Sequence, residues 1–220
     1  MIMRKCILAL TLVLCVAGVA SAVSVLLTDA EITATASSRL GSTNDAWETV
    51  GRTGVSVVGG VDVHNNSYID MWVTANYDGG NWIAWEFDKA YNITTVNVWN
   101  YNQPGYQGRG MRHIKIETSL NGSTWTTLSA DTELKSARGD NNMVAGNSLS
   151  FGDVSAKYVR FTAHTLVGSI SGGDYSSLSG NWGQDIARVG LSEVQFIATP
   201  EPATLALLGF GALSLIRRKK

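Results

Sequence analysis

Asn81-Trp82-Ile83-Ala84-Trp85-Glu86-Phe87-Asp88-Lys89-Ala90-Tyr91-Asn92-Ile93-Thr94-Thr95-Val96-Asn97-Val98-Trp99-Asn100-Tyr101-Asn102 is the stretch from which the fold is read. Ile83, Trp85 and Phe87 alternate on one face of its first half. In its second half Val96 and Val98 alternate with Thr95, Asn97 and Trp99. Period-two alternation of aromatic and β-branched residues marks half-buried strands. Asp88-Lys89-Ala90 separates the halves, so the sequence predicts two strands turning back on each other in an antiparallel pair. Gln103-Pro104-Gly105 ends the second strand and leaves Asn100, Tyr101 and Asn102 at a loop mouth. Binding residues tend to sit on loops held by a rigid scaffold.

Outward from this stretch the same signal recurs, and no useful stretch of the domain has a 3.6-residue period. Strands are predicted at residues 31–37, 111–119, 124–128, 144–151, 157–163 and 191–197, with shorter apolar runs at 55–58 and 71–73. Residues 61–70 read as polar and irregular. Leu120-Asn121-Gly122-Ser123 is a hairpin turn in which Asn-Gly suits positive φ at both central positions. Residues 165–184 form a long Ser/Gly-rich loop, and loops of that length are commonly functional or disordered. About eight short strands with turns between them predict an all-β, eight-stranded jelly-roll β-sandwich.

The two ends of the chain lie outside that fold. Residues 1–22 carry a basic start (Arg4, Lys5), an apolar run and Ala20-Ser21-Ala22, the pattern of a cleaved secretory signal peptide. Residues 200–220 carry Pro200-Glu201-Pro202, a 14-residue apolar run and Arg217-Arg218-Lys219-Lys220. As a helix that run reaches about 21 Å, short of a ~30 Å hydrocarbon core, and the basic end stays cytoplasmic. A weak anchor and a sorting signal both fit this design. Between the ends lies one domain, residues 23–199.

Composition narrows the function. Both cysteines, Cys6 and Cys15, fall in the leader, so the domain has neither disulfide nor thiolate chemistry. The ends take six of the 17 basic residues and one of the 18 acidic ones, leaving the domain at −6. That balance argues against nucleic acid, whose phosphates need a basic patch, and against docking on anionic lipid. All seven tryptophans lie in the domain, serving either as core or as flat faces for ligands.

A series of motifs in fixed order resembles a known family: Ala36-Ser37-Ser38; Met71-Trp72; Trp82-Ile83, Trp85 and Phe87-Asp88; Ser119-Leu120-Asn121-Gly122-Ser123-Thr124-Trp125; Lys157-Tyr158-Val159-Arg160-Phe161; and Gly190-Leu191-Ser192-Glu193-Val194. The order is similar to discoidin (coagulation factor type C) domains and their relatives, the galactose-binding carbohydrate-binding modules. The resemblance implies an eight-stranded sandwich that binds ligands in loops at one end. The C-terminal end resembles a PEP-CTERM tail. That implies export in a Gram-negative bacterium, transient membrane attachment through the tail alone, and removal of the tail by an exosortase at the cell surface.

Sugar recognition needs an aromatic face and polar groups that pair hydroxyls, and small-ligand sites combine both. Asn100, Tyr101, Asn102, Tyr106, Arg109, Asn181 and Trp182 are the candidate ligand-binding residues. The alternatives are structural: Asn100 and Asn102 as turn caps, Trp182 as a plug, Arg109 paired with Asp185. The resemblance also implies a structural calcium, with Asp62, Asn65, Asp70 and Glu193 as side-chain ligands among the six to eight oxygens that calcium takes; here the alternative is ordinary turn carboxylates. His64, His113 and His164 are scattered, which disfavours a transition metal. Glu86 and Asp88 share a strand face through simple alternation, and no Gly-x-Ser-x-Gly elbow is present. The reading is an exported, non-catalytic domain that binds carbohydrate, with exopolysaccharide as one ligand class. Its rivals are an adhesive surface protein without a sugar site and a glycoside hydrolase.

Overall fold

The computed structural model describes residues 24–76, 80–164 and 188–199. Ten strands occur in it: β1 (Val25–Leu26), β2 (Ile32–Ala36), β3 (Val55–Val58), β4 (Val61–His64), β5 (Trp72–Val73), β6 (Trp82–Asn100), β7 (His113–Ser119), β8 (Thr126–Glu133), β9 (Asn147–Ala163) and β10 (Gly190–Thr199). Helix among the described residues is limited to three 3-10 turns, Ala46–Thr49, Tyr68–Asp70 and Gln107–Arg109. Eight strands join in one sheet of order β1-β10-β6-β9-β7-β8, with β2 added on β6 and β5 on β10; β3 and β4 form a separate hairpin. The strand pairings are antiparallel. The protein is thus all-β, as its alternation predicts.

β6 departs from the sequence reading. Residues 81–102 do not turn back on themselves; one 19-residue strand runs through Asp88-Lys89-Ala90. No residue there takes positive φ, so the tight turn that would reverse the chain does not form. Both halves pair instead with β9, residues 82–86 against 158–162 and residues 91–98 against 147–156. Register shifts between Glu86 and Tyr91 and between Ile93 and Thr95 break the ladder. β9 bends with its partner through Gly152 (φ 64°) and Asp153 (φ 60°). Bulges bend strands and sharpen twist, and here they fold one sheet into two layers. The front layer holds β2, the first half of β6, the second half of β9, β7 and β8. The back layer holds β1, β5, β10 and the remaining halves of β6 and β9.

The core lies between the layers. Trp85 of the front layer meets Phe196 of β10 at 5.3 Å between ring centroids, and Phe87 meets it at 5.0 Å, both edge-to-face. Trp85 also packs edge-on against Phe161 at 5.0 Å. Edge-to-face pairs are the favoured aromatic geometry. The buried Trp85 indole N–H donates to Thr49 Oγ1 at 3.0 Å, so no polar group is stranded there.

Two turns differ from expectation. Residues 61–64, read as irregular, form β4, which pairs with β3 across Gly59 and Gly60, both at positive φ as a two-residue hairpin loop requires. At Asn121-Gly122 only the glycine takes positive φ. The Asn121 carboxamide oxygen instead accepts from the backbone N–H groups of Ser123 and Thr124 at 2.9 and 2.8 Å, a side-chain turn mimic.

Register gathers the functional loops at one end. Ala36 faces Ile83, Trp82 faces Thr162, and Ala163 faces Ile114. In the back layer Asn100 faces Leu191, and Gly190 faces Val73. The layers are tied where Leu40 N donates to the Val73 carbonyl at 2.8 Å and Trp72 Nε1 to the Ser38 carbonyl at 3.0 Å. Residues 37–45, 74–76, 80–81, 101–112 and 134–146 therefore open at the same end.

Candidate functional site

Three expected ligand contacts turn inward. The buried Asn100 carboxamide donates to the carbonyls of Met111 at 2.6 Å and Lys135 at 2.9 Å, and its oxygen accepts from Tyr101 N at 2.9 Å. Gly110 lies so close that a Cβ would sit 2.6 Å from Asn100 Oδ1. The buried Asn102 donates to the carbonyls of Asn65 at 2.8 Å and Asp140 at 2.6 Å and accepts from Gly139 N at 2.8 Å. Tyr101 is also buried, its hydroxyl donating to Gln103 Oε1 at 2.7 Å. These side chains pin loops to one another. They do not face solvent, and the hydrogen-bonding capacity that suits a sugar hydroxyl is spent within the protein.

Tyr106 and Arg109 do come together. The 3-10 turn Gln107–Arg109 places the Arg109 guanidinium 4.1 Å over the Tyr106 ring, a cation–π contact. Tyr106 is 43% exposed, whereas Arg109 is buried at 9%. The aromatic face, with the cation behind it, is what the loop presents. Asn181, Trp182 and Asp185 lie outside the described residues.

At the same end lies a cleft of about 320 Å³ that the sequence reading did not nominate, lined by Ser37, Ser38, Ala75, Asn76, Asn81 and Trp82. Asn81 Nδ2 donates to the Asn76 carbonyl at 3.2 Å and to Ser37 Oγ at 3.4 Å, and Ser37 Oγ also accepts from Trp82 N at 3.1 Å. The buried Ser38 hydroxyl has no hydrogen-bond partner among the described residues. A buried hydroxyl without a protein partner calls for an ordered water or a polar ligand. The signal available in the sequence was Ala36-Ser37-Ser38, whose hydroxyls register alone brings to Trp82.

The four expected calcium ligands do not converge. Both Asp62 oxygens accept from the Arg52 guanidinium, at 3.0 and 2.9 Å, and Gln195 Nε2 donates to Asp62 at 2.8 Å. These bonds, led by Arg52, hold the Asp62 carboxyl below the usual carboxylate range. Asn65 Nδ2 donates to Asp70 at 2.7 Å and Asn65 Oδ1 accepts from Ser67 N at 2.9 Å, closing a small turn. Glu193 is buried on β10 opposite Trp99, and one of its oxygens has no partner among the described residues. Burial pushes its carboxyl up to about 9 against the pull of Arg52. Asn65 and Asp70 bond to each other and Asp62 is held by Arg52, so the four side chains do not form one oxygen cage. No group of three or more His, Cys, Asp or Glu forms a metal site among the described residues. His113 and His164 are nevertheless less scattered than the sequence suggests, since both reach Asp131, at 2.9 and 3.5 Å.

Glu86 does not resemble a general acid. It accepts from the Tyr158 hydroxyl at 2.8 Å and pairs with Lys157 at 3.1 Å, and these contacts lower its pKa. A glycosidase acid needs the opposite shift. Among the described residues no helix is long and apolar enough to cross a membrane; the apolar runs of the leader and tail lie outside them.

Comparison with known proteins agrees with this architecture. The family 32 carbohydrate-binding module of Clostridium perfringens NanJ, solved with galactose, is 16% identical with a TM-score of 0.51, covering 80% of this chain and 99% of its own. The CBM32-5 module of the C. perfringens family 89 glycoside hydrolase, solved with GalNAc-β-1,3-galactose, gives 14% and 0.52, covering 78% and 99%. CBM32-3 from a C. perfringens family 31 glycoside hydrolase gives 20% and 0.53, covering 79% and 95%. These are likenesses of fold. No curated protein matches the chain. Residues 198–220 match the PEP-CTERM protein-sorting motif. Residues 33–179, more than half of the chain and including β2 through β9, match the F5/8 type C domain, so the chain belongs to the F5/8 type C (discoidin) domain family.

Proposed function

We propose that the protein is an exported, non-catalytic module that binds carbohydrate at its loop end, with surface exopolysaccharide as the ligand class. The observation that carries this reading is the cleft that Trp82 lines together with Ser37, Ser38, Asn76 and Asn81. An aromatic wall takes the apolar face of a sugar ring, and the hydroxyls and amides pair its rim. Tyr106 backed by Arg109 extends the aromatic surface at this end, and Asn181 and Trp182 stay candidate ligand residues on sequence grounds alone. Two sandwich neighbours were solved with galactose or a galactose-containing disaccharide, which makes galactosides the first probes.

The leader, residues 1–22, directs export. The tail, residues 200–220, holds the chain at the membrane until an exosortase removes it and leaves residues 23–199 at the cell surface. The sorting motif supports this order of events. Intact-mass measurement on surface-released protein should find the tail gone. A chain still ending at Lys220 would count against processing.

A glycan array followed by calorimetric titration tests the binding reading. Saturable binding of a neutral glycan, together with a change in Trp fluorescence, is expected. One observation favours the adhesive rival: Val57, Val58 and Val61 are exposed at the tip of the β3–β4 hairpin. Partner adhesion abolished by changes at that tip, with no response to any glycan, would favour it over the sugar reading.

A further inference from the structure

The outer face of the front layer carries a second cleft, of about 280 Å³. The solvated face of an antiparallel sheet is normally polar. This one presents Trp82 on β6, Tyr158 and Arg160 on β9, and Trp125 from the connection between β7 and β8. The register explains its shape. Ala84 faces Arg160 on one side and Thr35 on the other, while Glu86 faces Tyr158 and Thr33. Ala84, Thr33 and Thr35 are short, so the floor is low between Trp82 and the wall made by Trp125 and Tyr158. Trp82 and Glu86, the partner of Tyr158, are four residues apart along the strand, about 13 Å, a span longer than one pyranose ring.

The wall is fixed in place. The Arg160 guanidinium lies 4.1 Å over the Trp125 ring, and the Trp125 and Tyr158 rings meet at 6.3 Å and 68°. Arg160 is held from its other side by Glu117, whose Oε2 accepts from Nε at 3.0 Å and from Nη2 at 2.7 Å. Lys115 pairs with the second Glu117 oxygen at 2.6 Å, and Lys157 and the Tyr158 hydroxyl engage Glu86. A Cβ on Gly122 would stand 3.2 Å from the Tyr158 ring, so the hairpin tip closes on Tyr158 at a glycine.

We propose that this sheet face binds a neutral oligosaccharide chain, with Trp82, Trp125 and Tyr158 as stacking surfaces and Thr33 and Thr35 as hydroxyl partners. The ligand class rests on the carbohydrate reading above, but the surface is a different one. Rings that are held before binding lose little freedom on binding, which favours affinity. The charges of the groove are already paired within the protein, so a charged ligand would have to break those pairs whereas an uncharged polyol need not. Trp82 lines both clefts. A chain whose terminal sugar sits at the loop end can therefore continue onto the sheet face, which distinguishes recognition of a polymer from recognition of a single sugar.

The test is affinity electrophoresis of the full chain through galactan, arabinogalactan, xyloglucan and dextran, with galactose titrated in parallel. Trp125→Ala removes the wall. Thr35→Lys fills the groove from an edge strand, where lysine is well tolerated, and leaves every aromatic in place. Retardation of the wild type by at least one of these polysaccharides is expected, with at least a tenfold weaker interaction in both variants at unchanged melting temperature. No retardation of the wild type by any of the four, or variants retarded as strongly as the wild type, would overturn the proposal. Galactose bound equally by all three proteins, with retardation indifferent to Trp125 and Thr35, would leave the loop-end reading standing and remove this one. Retardation lost in both variants but unaffected by Tyr106→Ala, in a protein that binds no galactose, would do the reverse.

Discussion

Arg52 grips Asp62 with two nitrogens, at 3.0 and 2.9 Å. A guanidinium thus takes the Asp62 oxygens that a calcium ion was expected to take. Asp70 is likewise engaged, by Asn65 at 2.7 Å. Calcium prefers six to eight oxygens, and a ligand bound only by the folded state would stabilise it by about 2.7 kcal/mol at one hundred times its Kd. Equal melting temperatures in calcium and in chelator are expected. A clear rise in calcium would show that backbone carbonyls around Glu193 make up the missing ligands.

Glu193 itself gives the protein a pH signature. Burial raises its carboxyl to about 9, above its ordinary value in the unfolded chain. Its contribution to stability is therefore complete at pH values below that ordinary carboxylate range and is lost as pH climbs toward 9. In that window the native state binds more protons than the unfolded one, and the slope is at most about 1.4 kcal/mol per pH unit. Glu193→Gln should flatten the profile, so that its stability relative to the wild type rises as pH climbs from 5 to 8. Parallel urea titrations from pH 5 to 9 decide this, and identical slopes for the two proteins would mean that Glu193 is ionised in the fold.

Much of the sandwich is legible because burial leaves a period-two trace. Ile83, Trp85, Phe87, Val96 and Val98, the residues whose alternation marks the strands, all line the core. The continuity of β6 is not legible, since a bulge at residues 87–90 has no local requirement that distinguishes it from a turn. β4 is obscured because Asp62 and His64 make it look polar, although Asp62 serves an ion pair and His64 is buried with Nδ1 against the Asn65 carbonyl. Asn100 and Asn102 are misread for a chemical reason. A carboxamide offers the same groups to a sugar hydroxyl as to a loop carbonyl, and only the fold determines which is within reach. The sheet-face groove leaves no contiguous trace, because register brings Trp82, Trp125 and Tyr158 together from three separate segments.

Asn102 should matter for stability. Its carboxamide satisfies two carbonyls and one backbone N–H in loops far apart in sequence. Asn102→Ala leaves those groups unpaired in a buried setting, at a cost of roughly 2 to 3 kcal/mol. At a temperature where the variant stays folded, its glycan affinity should match the wild type. A stable variant with weakened binding would place Asn102 in contact with the ligand after all.

Tyr106 should behave in the opposite way. Its ring is exposed and lies 4.1 Å from the Arg109 guanidinium. Removing an exposed side chain of this kind changes stability by no more than about 0.5 kcal/mol, so Tyr106→Ala should melt with the wild type. If the ring forms part of the loop-end surface, the same change should weaken glycan binding about tenfold, equivalent to ~1.4 kcal/mol. Tyr106→Phe separates the contributions of the ring: retained affinity assigns binding to the aromatic face, and lost affinity assigns it to the hydroxyl. Unaltered affinity in Tyr106→Ala, measured beside an unaltered melting curve, would remove Tyr106 from the site and confine recognition to the cleft beside Trp82.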